Sequence, residues 1–214
     1  MIRVASLRLL PLLFPTVLAA QESGAFTVAR GGDTVAIEQW NRDSTGLSAS
    51  LIRGLGATRE RLHYHATLLP DESAPLVEVA AWRGDDPEGM PARQNTRIIF
   101  KDDSVAIDDA SQNGVRTMVL PTQKAAVAYL NLSTALLEQA TRRAAAARRD
   151  SLDVPFFNLG GGQTLTGTVN RVGSDSVLVR IRTVEFRFRV DPTGRILGGS
   201  VPSQGLQITR GAGR

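Results

Sequence analysis

The 214-residue sequence contains no cysteine, only two histidines, two lysines and eleven aromatic residues. Without cysteine there is no disulfide, no thiolate zinc site, no iron–sulfur cluster and no thiol nucleophile. The chain must be held by its apolar core, and residues 21–214 are long enough to build one domain around one. Because His63 and His65 are the only imidazoles, a serine hydrolase would have to take its base from that pair. No Gly-x-Ser-x-Gly elbow accompanies them. Gly54-Leu-Gly56 has Arg59 where a dinucleotide loop needs its third glycine. Gly160-Gly-Gly162 lacks the Lys-Ser/Thr of a phosphate loop.

What is present begins with a leader. Arg3 and Arg8 bracket a basic start, Leu9 to Ala20 is almost wholly apolar, and Ala19 and Ala20 close it with small side chains. This is the order of a secretory signal. The apolar run is about twelve residues against the roughly twenty a spanning helix needs, and Pro11 and Pro15 interrupt it. The sequence therefore predicts cleavage after Ala19 or Ala20 and an exported protein, periplasmic or secreted. No later run is long enough to span a membrane.

Charge is unevenly placed. Residues 21–140 carry 11 basic and 16 acidic side chains, whereas residues 141–214 carry 12 and 5. A basic C-terminal third suits an anionic partner, or simply a solvated face. Nucleic acid is not expected, since no basic-aromatic motif accompanies the charge.

Period-two alternation dominates the text. Phe26 to Arg30 and Val35 to Trp40 flank Gly31-Gly32, a hairpin signal. Further runs at 47–53, 59–69, 76–83, 96–101, 104–108 and 115–120 are separated by turn-rich segments, which predicts an antiparallel meander. From Gln123 to Arg149 there is no glycine or proline, and apolar residues recur at helical spacing. One long helix is predicted there, capped by Thr122. Strands resume over about 163–210. Val177, Val179 and Ile181 alternate in one phase and Val184, Phe186 and Phe188 in the other, so a turn or bulge must stand at Arg182-Thr183. The fold class read from this is α+β, mainly antiparallel β: a curved sheet or incomplete barrel with one long helix packed on it.

Two constellations carry candidate chemistry. His63 and His65 fall on one face of a strand and could share a metal, given a third ligand from another strand. Arg180, Arg182, Arg187 and Arg189 project from one face of adjacent strands and could grip phosphate or carboxylate. Asp85, Asp86 and Glu88 sit in a Gly/Pro loop and read as solvated turn residues.

The order of signal peptide, meander, helix and closing strands resembles the periplasmic lipoprotein-carrier superfamily, incomplete β-barrels plugged by helices. The resemblance is one of element order, so no functional residue is carried over. It implies an apolar ligand in the concave face, where Trp40, Tyr64, Trp82 and Phe100 are the candidate lining. The leading expectation is an exported binding protein without a cofactor. The alternatives are a metal-dependent enzyme using His63 and His65, and an envelope module whose basic face meets an anionic polymer. A hollow beneath the helix would favour the carrier, and a packed core the interaction module.

Overall fold

Alternation governs the architecture of the computed structural model, which describes residues 21–212. The leader and its cleavage site lie outside those residues. In chain order the elements are β1 (Glu22–Arg30), β2 (Asp33–Arg42), β3 (Gly46–Arg53), β4 (Glu60–Thr67), β5 (Leu76–Arg83), β6 (Gln94–Phe100), β7 (Ser104–Ser111), β8 (Gly114–Pro121) and β9 (Val127–Tyr129). The helix α1 (Thr134–Ala147) follows. After it come β10 (Ser151–Asp153), β11 (Phe156–Asn158), β12 (Gln163–Leu165), β13 (Gly167–Arg171), β14 (Ser176–Ile181), β15 (Val184–Val190), β16 (Ile196–Val201) and β17 (Leu206–Ala212).

Fourteen strands form one curved sheet in the order β10-β13-β14-β15-β16-β17-β1-β2-β3-β4-β5-β6-β7-β8. It is two meanders joined where β17 pairs with β1, Val28 opposite Ile208. The sheet does not close, because β10 and β8 remain its edges. The expected turns are present. Gly31 and Gly32 both take positive φ, as a two-residue hairpin on right-twisted strands requires. Arg182 takes φ 53° in the turn between β14 and β15, which reverses the apolar phase at that point.

The helix is shorter than its sequence pattern. It starts at Thr134, where Ser133 rather than Thr122 is the cap, its hydroxyl accepting from Leu136 N–H at 3.3 Å. Upstream, Ala125 and Leu132 take positive φ, which no helix accommodates, and Val127 to Tyr129 become β9. That strand pairs in parallel with β11, Phe156 opposite Val127, and β11 pairs antiparallel with β12. A parallel pair was not expected, and α1 is the crossover that permits it. Arg148 ends the helix in the left-handed conformation.

The concave face of the large sheet holds α1 and the small three-stranded sheet. Leu136 and Ala140 are fully buried, as are Phe26, Phe156 and Phe157. Between α1 and strands β13–β15 the crevice has only about 10 Å³. The helix lies close on the sheet at this end, and Leu136, Leu137 and Ala140 on it are buried. Among the described residues no helix is long and apolar enough to cross a membrane.

The loop after β5 corrects a second expectation. Asp86 is buried, not solvated: it accepts Arg83 N–H at 2.8 Å and the Arg93 guanidinium. The Arg93 hydrogen bond is the main reason its carboxyl falls to about 2. A depressed acid contributes stability above its unfolded pKa, about 3.9, and loses it as pH falls through the folded value. Residues 84–93 are expected to loosen between about pH 4 and pH 2, and Asp86→Asn is expected to abolish that step. An NMR titration showing an unshifted Asp86 would overturn this.

Candidate functional site

The four aromatics proposed to line the concave face are not brought together. Trp40 and Tyr64 face inward, 3% exposed each, as parts of the packed core. Trp40 stacks on Phe26, and Phe100 meets Phe157 edge-on at 5.6 Å. Trp82 lies on the opposite, convex face. Val77 is buried inward, and strict alternation from it turns Glu78, Ala80 and Trp82 outward. There Trp82 packs against His63 at 4.9 Å, takes the Arg61 guanidinium at 5.3 Å, and donates its indole N–H to Met90 O.

His63 and His65 also point outward, on β4. The His65 Nδ1 is hydrogen-bonded with Ser48 Oγ at 2.9 Å, and Glu78 stands opposite it on β5. A shallow hollow of about 480 Å³ adjoins them, bordered by Asn95, Arg97 and Asp108. Among the described residues no three His, Cys, Asp or Glu side chains come close enough to hold a metal. The third ligand that the histidine pair would need is not among them.

The arginine cluster separates into two pairs. Arg180 is neutralised by Glu185, opposite it on β15, at 2.6 Å. It shares a crevice of about 260 Å³ with Arg182, against Asp153 and Thr168. Arg187 and Arg189 stand further along β15, opposite Leu178 and Ser176. Arg187 approaches Glu185 only to 3.9 Å, and Arg189 has no ion pair among the described residues.

Those two arginines, with Glu185, border a groove of about 850 Å³ on the convex face of β14–β17. Its floor is β16. Arg189 pairs with Gly198, then Val190 with Ile196, so Leu197 is the extra residue of a bulge. Gly198 takes φ 148° and carries no side chain outward, and its neighbour Ser200 is small. Val172, Leu178 and Leu197 supply apolar walls, and Gln207 and Thr209 on β17 close the far side. Gly199 serves the other face: a Cβ there would lie 2.3 Å from Arg187 O and 2.7 Å from the Phe188 ring, so the close strand pairing leaves room only for glycine. Leu178, Leu197, Ser200, Gln207 and Thr209 were not singled out in the sequence. The available signal was Gly198-Gly199 inside a strand pattern, which marks a bulge or close approach.

No protein-family model matches the chain, and no curated protein matches it. Two solved structures are similar to it. A DUF1089 family protein from Pseudomonas aeruginosa has TM-score 0.57 and 11% identity, over 80% of this chain and 91% of that one. A β-barrel-like protein of the domain of unknown function DUF1849 from Brucella abortus has TM-score 0.52 and 9% identity, over 90% and 94%. At such identities the likeness concerns the fold alone. It agrees with an open, barrel-like β architecture and does not tie the chain to the lipoprotein carriers.

Proposed function

We propose that the protein is an exported binding protein whose ligand is an amphipathic anion held on the convex face, not an apolar molecule under the helix. The groove above Gly198 carries this reading: about 850 Å³ of space beside Arg187 and Arg189, against about 10 Å³ in the crevice between the C-terminal half of α1 and β13–β15. A carboxylate or phosphate meets the two guanidinium groups, which match its geometry bidentately. The apolar part lies along Val172, Leu178 and Leu197. Pockets of this size with a few convergent polar groups are ordinary small-molecule sites. Export rests on the leader, and it places the groove where envelope lipids and acidic polymers occur. The packed core favours a binding surface over an enclosed carrier.

Dodecyl phosphate, dodecanol, inorganic phosphate and polygalacturonate are the probes, followed by calorimetry on residues 21–214. Dodecyl phosphate is expected to bind more tightly than dodecanol or phosphate, and less tightly at high salt. Arg187→Ala/Arg189→Ala should weaken it by at least about tenfold, since a charge-assisted hydrogen bond contributes about 1.5–3 kcal/mol. Ser200→Trp should block the groove. Preference for polygalacturonate would move the reading to an anionic polymer. Equal binding of dodecanol, unchanged in the double arginine variant, would end it.

A further inference from the structure

The two edges of the large sheet differ. β10 is three residues long, the kind of edge that offers little to pair with. β8 has eight residues, Gly114–Pro121, with no lysine, no acid and no internal proline. Val115 and Val119 on it are 74% and 67% exposed.

Hydrogen bonding along β8 can be assigned. Thr122 N–H donates to Asp103 O at 2.9 Å, immediately beyond the Ser104–Pro121 pair. Bonded and non-bonded pairs alternate in an antiparallel ladder, so Leu120, Met118 and Arg116 bond to β7. Val115, Thr117 and Val119 then turn both N–H and C=O toward the open edge, and their side chains share the convex face. Pro121 ends this window, having no N–H and with its carbonyl taken by Thr164 Oγ1. The Gln112–Asn113 turn ends it on the other side.

We propose that β8 is a self-pairing edge, occupied by β8 of a second copy of this chain. The open window is self-complementary about Thr117. In an antiparallel two-fold pairing Val115 faces Val119 of the other copy, Thr117 faces its own counterpart, and Arg116 faces Met118. No like charges stand opposite, the valines pair across the seam, and each facing pair of the open window exchanges both backbone hydrogen bonds. On the convex face the apolar row Leu76, Ile99, Ala106 and Val119, set by the β5–β8 registers, continues across the join. The partner is a copy because the pattern reads the same from both sides, as an isologous interface must.

The absence of cysteine provides the test. In the mature protein, Thr117→Cys should be joined to its own copy by a short bismaleimide, while Gln39→Cys, exposed on β2, should not. Wild-type protein should sediment at twice the mass of one chain at concentrations up to roughly 100 µM, the range weak interfaces occupy. Thr117→Pro removes an N–H that bonds nothing among the described residues, together with the hydroxyl's hydrogen bond to Asp108, and should give a monomer. Val115→Lys/Val119→Lys, on a solvated face, should do the same with an unchanged circular dichroism spectrum, which covers the case in which the proline variant misfolds. Monomeric wild type at the highest concentration, or equal crosslinking at positions 39 and 117, would overturn the proposal.

Discussion

Glu138→Ala is expected to destabilise the protein by about 4 kcal/mol, the usual cost of removing one partner from a buried ionic cluster. Glu138 is 2% exposed on α1 and accepts on both carboxylate oxygens. Oε1 takes Arg142 Nε at 2.9 Å and its Nη2 at 2.8 Å. Oε2 takes Ile196 N–H from β16 and Arg210 Nη1 from β17, each at 2.8 Å. Arg142 continues to Glu22 on β1 at 2.7 Å. One side chain thus ties the helix to the region where the two meanders join. Without it, Arg142 and Arg210 remain buried with one anion fewer, and the Ile196 N–H is left unpaired.

Arg210 makes the loss worse, because it cannot swing out to water. Its guanidinium lies 4.6 Å over the Trp40 ring and 5.2 Å over Phe26. In a domain of this size 4 kcal/mol lowers Tm by roughly 10 °C. A double-mutant cycle with Arg210→Ala should give a combined cost well below the sum, since the two residues share one network. Additive costs, or less than about 1 kcal/mol for the single variant, would show that water replaces the carboxylate.

Some of this arrangement was legible in the sequence and some was not, for identifiable reasons. Alternation at Val177 to Phe188 located the β14–β15 turn, because a one-residue phase slip leaves no other choice. The same rule, applied from Val77, places Trp82 on the convex face, away from Trp40. Grouping the two by residue type rather than by phase was the error. The overlong helix arose because Val127 to Leu132 is apolar at helical spacing, and a short buried strand has the same signature. The groove depends on Gly198 beside Arg189, a juxtaposition made by a bulge and by pairing between strands, neither of which appears in local text. Charge in the last third pointed to β14–β17, but only cross-strand pairing shows Glu185 held closely by Arg180 and more distantly by Arg187, with Arg189 outside any ion pair among the described residues. The phase of Ala36, Glu38 and Trp40 turns a carboxylate inward, yet its partners stand up to 97 residues away.

Glu38→Ala is expected to cost about 3 kcal/mol, because it leaves several buried donors without an acceptor at once. Glu38 is 1% exposed on β2, beneath the first turn of α1. Its Oε1 accepts the Ser133 hydroxyl at 2.6 Å and the Tyr64 hydroxyl at 2.7 Å. Its Oε2 accepts the N–H groups of Thr134 and Ala135, both at 2.8 Å. Those are the orphan donors of a helix N-terminus, and the positive end of the helix dipole favours an anion there. Burial nevertheless dominates and raises the Glu38 carboxyl above its ordinary value, although the four hydrogen bonds pull it down. Burial, and then the Glu38 charge, push the Tyr64 hydroxyl well above its own. A raised folded pKa means that the folded protein holds this proton more tightly than the unfolded chain does. The contribution of Glu38 is therefore fully present below its unfolded pKa, about 4.3, and declines as pH rises through the folded value. Glu38→Gln keeps the shape but turns an amide N–H₂ toward donors, so it should be destabilised too and should lack that decline. The gap between wild type and Glu38→Gln should narrow as pH rises from 4, and urea unfolding at a series of pH values measures it directly. A gap that widens with pH would mean that the capping hydrogen bonds outweigh desolvation and that this carboxylate is ionised more readily in the core than in water.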